Sequence, residues 1–222
     1  MGLRFETRGS DSPWVDTVWA CTSERVTQMT SVAAVCWGLV FWELDGRAYA
    51  AVSGPETRTG TAPVPEGATF VGVEFAVGTS LRAVPTPALV DGGVELPGAT
   101  RRTFRLDGHR WETPGPDDAE ALVDRLVRGG IVVRDPLVTG VRRGHRPAVS
   151  ARTLERRFQA VTGLTQGAVR QSALPWMKIA PPSLFFSSTT SSVERRIAVG
   201  PHPSTRASSG SVVETTYLGR SL

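Results

Sequence analysis

Asp45-Gly46 stands directly between two β-type runs, VAAVCWGLVFWEL at 32–44 and RAYAAVS at 47–53. A two-residue type I′ turn needs positive φ at both central positions, which Asp-Gly accepts at low cost, so the pattern predicts a β-hairpin. The 32–44 run is too continuous for a half-exposed strand and predicts one or two strands buried on both faces. Further strands are expected at 14–22, after the Asp11-Ser12-Pro13 loop signal, and at 69–77. In the latter, Phe70, Gly72, Glu74 and Ala76 alternate with Val71, Val73, Phe75 and Val77. Short strands punctuated by turns predict a β-rich, barrel-like domain over 1–115. The stretch 81–116 is dense in Pro and Gly and gives no assignable element.

The period changes from two to 3.6 after Pro116. In AEALVDRLVRGG, Ala119, Leu122, Val123 and Leu126 fall at helical spacing, acidic residues open the segment, and Gly129-Gly130 stops it. A second, short helix is expected from Asp135 as N-cap and Pro136 at the first helical position, with Leu137, Val138 and Val141 on one side. A third runs from the Ser150 cap to Gly163, and Thr165 announces a fourth. The chain therefore reads as α+β: a β-rich regulatory domain at 1–115, a small all-α domain at 116–171, and an irregular tail at 172–222.

Charge divides along the same line. Residues 1–135 carry 13 Arg against 18 Asp and Glu, whereas 136–222 carry 12 Arg and Lys against 3 Glu. An acidic front joined to a basic back suggests that the back meets a polyanion. No apolar run reaches the length of a membrane span, and the first residues lack the apolar stretch of a secretory signal. Together these predict a cytoplasmic, nucleoid-associated protein without a membrane partner.

The third helix, ARTLERRFQAVT, carries the sharpest functional signal. At about 100° per residue, Ala151, Leu154, Phe158 and Val161 gather on one face, which is expected to be buried. Arg152, Arg156 and Gln159 line the opposite face, with Thr153, Glu155 and Arg157 beside them. Arg reads guanine bidentately, Gln reads adenine, and a glutamate accepts from cytosine, so this face suits the major groove. Ser150 and the neighbouring Arg142, Arg143 and Arg146 are expected at phosphates.

The segment VSARTLERRFQAVTGLTQGAVRQ resembles the first helix-turn-helix of AraC/XylS-type transcription regulators, through Ser150, Arg152, Leu154, Arg156, Phe158 and Gly163. The stretch from Thr165 to Gln171 is similar to the start of that family's linker helix. Gly54-Pro-Glu-Thr-Arg, the 71–78 strand and Val90-Asp-Gly-Gly-Val-Glu-Leu-Pro resemble the front domains of actinobacterial members. The resemblance covers about 5–171. It implies a sequence-specific regulator that binds double-stranded promoter DNA as a homodimer, answering to a small-molecule effector through the front domain. Ala148 stands where the family usually has Gly.

After Gln171 the family continues into a second helix-turn-helix. Here 172–222 holds 16 Ser and Thr, no Asp, and prolines at 175, 181, 182, 201 and 203, which forbid long helices. The tail is read as the product of a frame change or as disordered, leaving one DNA-reading unit. The alternative reading is a sensor or interaction module that no longer binds DNA. An enzyme is disfavoured. The three histidines, His109, His145 and His202, lie outside the assigned strands, so a cupin-type metal site lacks its ligands, and neither metal nor cofactor is expected. Cys21 and Cys36 are read as packing residues, and Trp19, Trp37 and Trp42 as core or as the lining of an effector pocket.

Overall fold

The computed structural model describes residues 3–25, 27–31 and 33–171. The tail expected to be irregular lies outside the described residues. Twelve strands, one 3₁₀ turn and four α-helices are described. The strands are β1 (Leu3–Gly9), β2 (Val15–Ser23), β3 (Thr27–Ser31), β4 (Gly38–Leu44), β5 (Arg47–Ser53), β6 (Gly60–Val64), β7 (Thr69–Phe75), β8 (Thr79–Leu81), β9 (Gly93–Glu95), β10 (Thr103–Leu106), β11 (His109–Glu112) and β12 (Val132–Arg134). The 3₁₀ turn covers Thr86–Leu89, and the helices are α1 (Ala119–Arg128), α2 (Pro136–Arg142), α3 (Ala151–Thr162) and α4 (Gln166–Gln171).

The central sheet is antiparallel with strand order β1-β2-β7-β4-β5-β9. Its β4–β5 hairpin turns at Asp45 (φ 50°) and Gly46 (φ 75°), the positive-φ pair that Asp-Gly favours. Leu39, Phe41, Ala50, Val52, Val73 and Phe75 point to one face, where they join Ala119, Leu122, Val123 and Leu126 of α1. Trp19, Cys21, Val40 and Phe70 point to the other, where Val64 of β6 covers them. Burial of both faces explains why the apolar run reads continuously, although only its second half, 38–44, is strand.

The sheet is open, which corrects the barrel-like expectation. Its edges, β1 and β9, are separated by four strands, and β9 has only three residues to offer a closing partner. Layers on both faces bury the apolar side chains without closure. Three two-stranded ribbons complete the strands: β3–β6, β8–β12 and β10–β11. The last turns at Asp107 (φ 52°) and Gly108 (φ 75°) within the stretch that carried no sequence assignment.

Helix α1 belongs to the front. Ala119, Leu122, Val123 and Leu126 are wholly buried in the sheet's main cluster, and β12 pairs with β8. The helices that form a cluster of their own therefore begin with α2, about twenty residues later than the change of period at Pro116. Among the described residues, no helix is long and apolar enough to cross a membrane.

Candidate nucleic-acid interface

Helices α2, α3 and α4 meet around Val138, Leu154, Phe158, Val161, Leu164 and Val169. The front contributes Val35, Val77 and Val90 to the edge of this cluster. Helix α2 starts where β12 ends, at Asp135. One carboxylate oxygen of Asp135 accepts from the Leu137 and Val138 amides at 2.9 and 3.0 Å, capping the helix. Pro136 fits the first helical position because that N–H has no intrahelical acceptor.

Helix α3 is capped by Ser150, whose Oγ accepts from the Thr153 amide at 3.1 Å. It ends at Gly163 in the left-handed region (φ 73°), with the Gly163 amide donating to the Gln159 carbonyl at 2.9 Å. A Cβ here would be strained by φ and would lie 2.4 Å from Val90 Cγ2, so glycine both stops the helix and lets it seat on the front. Leu154, Phe158 and Val161 are buried as the spacing predicts, whereas Ala151, also expected inside, is exposed in the first turn.

Arg152, Thr153, Arg156 and Gln159 are exposed on α3. On one flank Arg157 Nε donates to the other Asp135 oxygen, tying α3 to the cap of α2. On the other, Glu155 accepts from the Gln166 amide at 3.4 Å, a long contact to the first turn of α4. Arg157 and Glu155, read from the sequence as contacts to DNA, are thus engaged within the protein. Arg152, Arg156 and Gln159 form an exposed ridge between the two flanks. Arg142, Arg143 and Arg146 are exposed at the end of α2 and in the connection 143–150, and Arg170 is exposed on α4. That connection is about twice the 3–4 residues of the usual turn between two such helices.

The sequence reading missed the second role of Asp135. Besides capping α2 and holding Arg157, Asp135 donates its own amide to the Gly78 carbonyl, at 2.8 Å, just before β8. The side chain is 5% exposed. An Asp-Pro pair signals a helix start, but nothing in it reports a partner 22 residues further on. Nearby, Arg134 lies over the Trp14 ring at 4.1 Å and donates to the Pro13 carbonyl. Burial first, and then the Arg143 charge, lower its pKa from the ordinary guanidinium value.

The other candidates fall into the scaffold. Trp37 stacks on Phe75 with centroids 3.8 Å apart and donates to the Thr79 carbonyl at 3.0 Å; Trp19 is buried. Cys21 is buried, and burial pushes its thiol up to about 11, while Cys36 is half-buried. Trp42 is half-buried, stacked on Tyr49 at 5.0 Å beside an open cavity of about 190 Å³. That volume is below the ~300 Å³ at which small-molecule pockets usually begin. Among the described residues, no group of three or more His, Cys, Asp or Glu is placed to hold a metal ion. Comparisons of the chain with family models, with curated proteins and with solved structures found no match.

Proposed function

We propose that this protein is a DNA-binding transcription regulator of the AraC/XylS type, acting in the cytoplasm at promoter DNA, with α3 as its recognition helix. The observation that carries the reading is the exposed ridge of Arg152, Arg156 and Gln159 between two anchored flanks. A base-reading helix must be held rigidly while its outward side chains stay available, and both conditions are met here. Ser150, Thr153, Arg142, Arg143 and Arg146 border the ridge and suit phosphate contacts. Arg157 and Glu155 orient the helix and are removed from the set of base contacts.

One such unit buries only about 600–1,000 Å² on DNA, so affinity rests largely on phosphates and falls steeply with salt. The long 143–150 connection favours the second reading, a sensor or interaction module without DNA binding. Fluorescence anisotropy of the full chain against fragments of its own upstream region, over a salt series, separates the two. The regulator reading expects a salt-dependent preference for one fragment, lost on replacing Arg152 and Arg156 by Ala. Binding that is absent, or unchanged in that double variant, overturns it.

A further inference from the structure

The central sheet ends on one side at β9, three residues long, and on the other at β1, which pairs with β2 along all seven of its residues. Among the described residues, no strand pairs with the outer edge of β1. Such an edge presents backbone donors and acceptors that another strand can extend. Side chains on β1 alternate between faces. Phe5 is half-buried against Trp19, with ring centroids 5.7 Å apart, while Arg4, Glu6 and Arg8 are exposed on the opposite face.

We infer that the outer edge of β1 is a homodimer interface, joining two copies antiparallel with the two-fold axis at Phe5. With the axis perpendicular to the sheet, one residue faces its own copy, and residues equidistant from it face each other. An axis at Arg4 sets Arg4 against Arg4. One at Glu6 sets Glu6 against Glu6 and Arg4 against Arg8. Like charges directly opposed destabilise a strand pair. Axes at Leu3, Arg8 or Gly9 leave too few paired residues. An axis at Thr7 depends on Arg8, whose guanidinium is held by Glu120 at 2.5 Å and by the Pro116 carbonyl at 2.7 Å.

Only Phe5 satisfies every constraint. Arg4 of each copy then faces Glu6 of the other, and the Arg4–Glu6 contact within each strand, at 2.7 Å, becomes half of an alternating four-charge array. On the opposite face the two Phe5 rings meet, extending the Phe5–Trp19 aromatic row across the axis. The same-sign mismatches at the neighbouring registers keep the strands from slipping by one axis position.

This inference is independent of DNA binding, and its test reads association alone. Sedimentation equilibrium of the full chain over a concentration series is expected to show a monomer–dimer equilibrium. Arg4→Glu and Glu6→Arg, each replacing an attraction by a repulsion on both sides of the axis, are expected to weaken it by about tenfold or more. The charge-swapped double variant, Arg4→Glu with Glu6→Arg, is expected to restore it. Both sites are exposed, and circular dichroism checks that each variant keeps the native fold. A monomeric wild type, single variants that dimerise unchanged, or a double variant that stays weakened each overturns the inference.

Discussion

Helices α1 and α3 have similar length and comparable apolar stripes, yet they are used differently. Ala119, Leu122, Val123 and Leu126 of α1 are wholly buried against the sheet, and Arg125 and Glu120 pair with Glu112 and Arg8 of the front, at 3.2 and 2.5 Å. Its polar residues thereby serve the same scaffold as its apolar ones. In α3 the apolar stripe is buried in a smaller cluster, and only its two flanks are tied to neighbouring elements. Arg152, Arg156 and Gln159 on the ridge between those flanks are exposed. A charged face of this kind can change with little loss of stability, as the proposed role in DNA recognition requires.

The contrast is broken most severely through the two cores. Phe104 is wholly buried edge-on to Phe41, at 4.9 Å, so Phe104→Ala is expected to cost about 3–5 kcal/mol and to lower the melting temperature of the sheet. Phe158→Ala is expected to cost about 3 kcal/mol but to act locally. Hydrogen exchange read by mass spectrometry should then speed up in 136–171 before it does in β2 and β7. Equal acceleration in both regions would mean that the two cores unfold as one.

A smaller effect distinguishes the two helix caps. Asp135→Ala removes a cap and the partner of Arg157 together and is expected to cost about 2 kcal/mol, the upper end for caps. Ser150→Ala removes two exposed hydrogen bonds, to the Thr153 amide and the Thr153 hydroxyl, and is expected to cost about 1 kcal/mol in chemical denaturation. Equal costs would place no weight on the Arg157 tie.

The smallest effect is electrostatic. Hydrogen bonding from Arg8, and then from Ser10, holds the Glu120 carboxyl down to about 2, against the opposing push of burial. A carboxyl depressed in the folded state contributes stability above its unfolded pKa, about 4.3, and loses it as pH falls toward 2. Because Arg8 is exposed and Glu120 only partly buried, solvent screens much of this contribution. The wild type should lose slightly more stability than Glu120→Gln between those pH values, as read from denaturation midpoints.

Much of this arrangement is legible in the residues. The β4–β5 hairpin, the α1 stripe, the caps at Asp135 and Ser150, and the stop at Gly163 all follow from short-range chemistry, and each appears where that chemistry places it. Long-range consequences are not legible in this way. Asp107-Gly108 carries the same turn signal as Asp45-Gly46, but its flanking strands, TFRL and HRWE, are too polar to read as strands. Strand β1 is masked by its three charges, which mark it as an edge only once β2 is seen beside it. The assignment of α1 to the sheet rests on which apolar face it meets, and periodicity does not contain that. The same holds for the ridge on α3: spacing names Arg152, Arg156, Arg157 and Glu155 alike, and only the positions of Asp135 and Gln166 separate the bound from the exposed.

The triple engagement of Asp135 bears on how portable the helical cluster is. One residue closes β12 onto Gly78, begins α2 and restrains α3, so no slack exists between sheet and helices at that point. A chimaera that grafts α2–α4 onto a foreign front at residue 136 would discard the restraint along with the front. A graft beginning at 132, accompanied by the 78–90 segment that accepts from the Asp135 amide and receives Gly163, would carry its own joint with it. Insertions should be tolerated in the exposed 143–150 connection and rejected at 134–136, which makes that junction the place where the length of the chain is set.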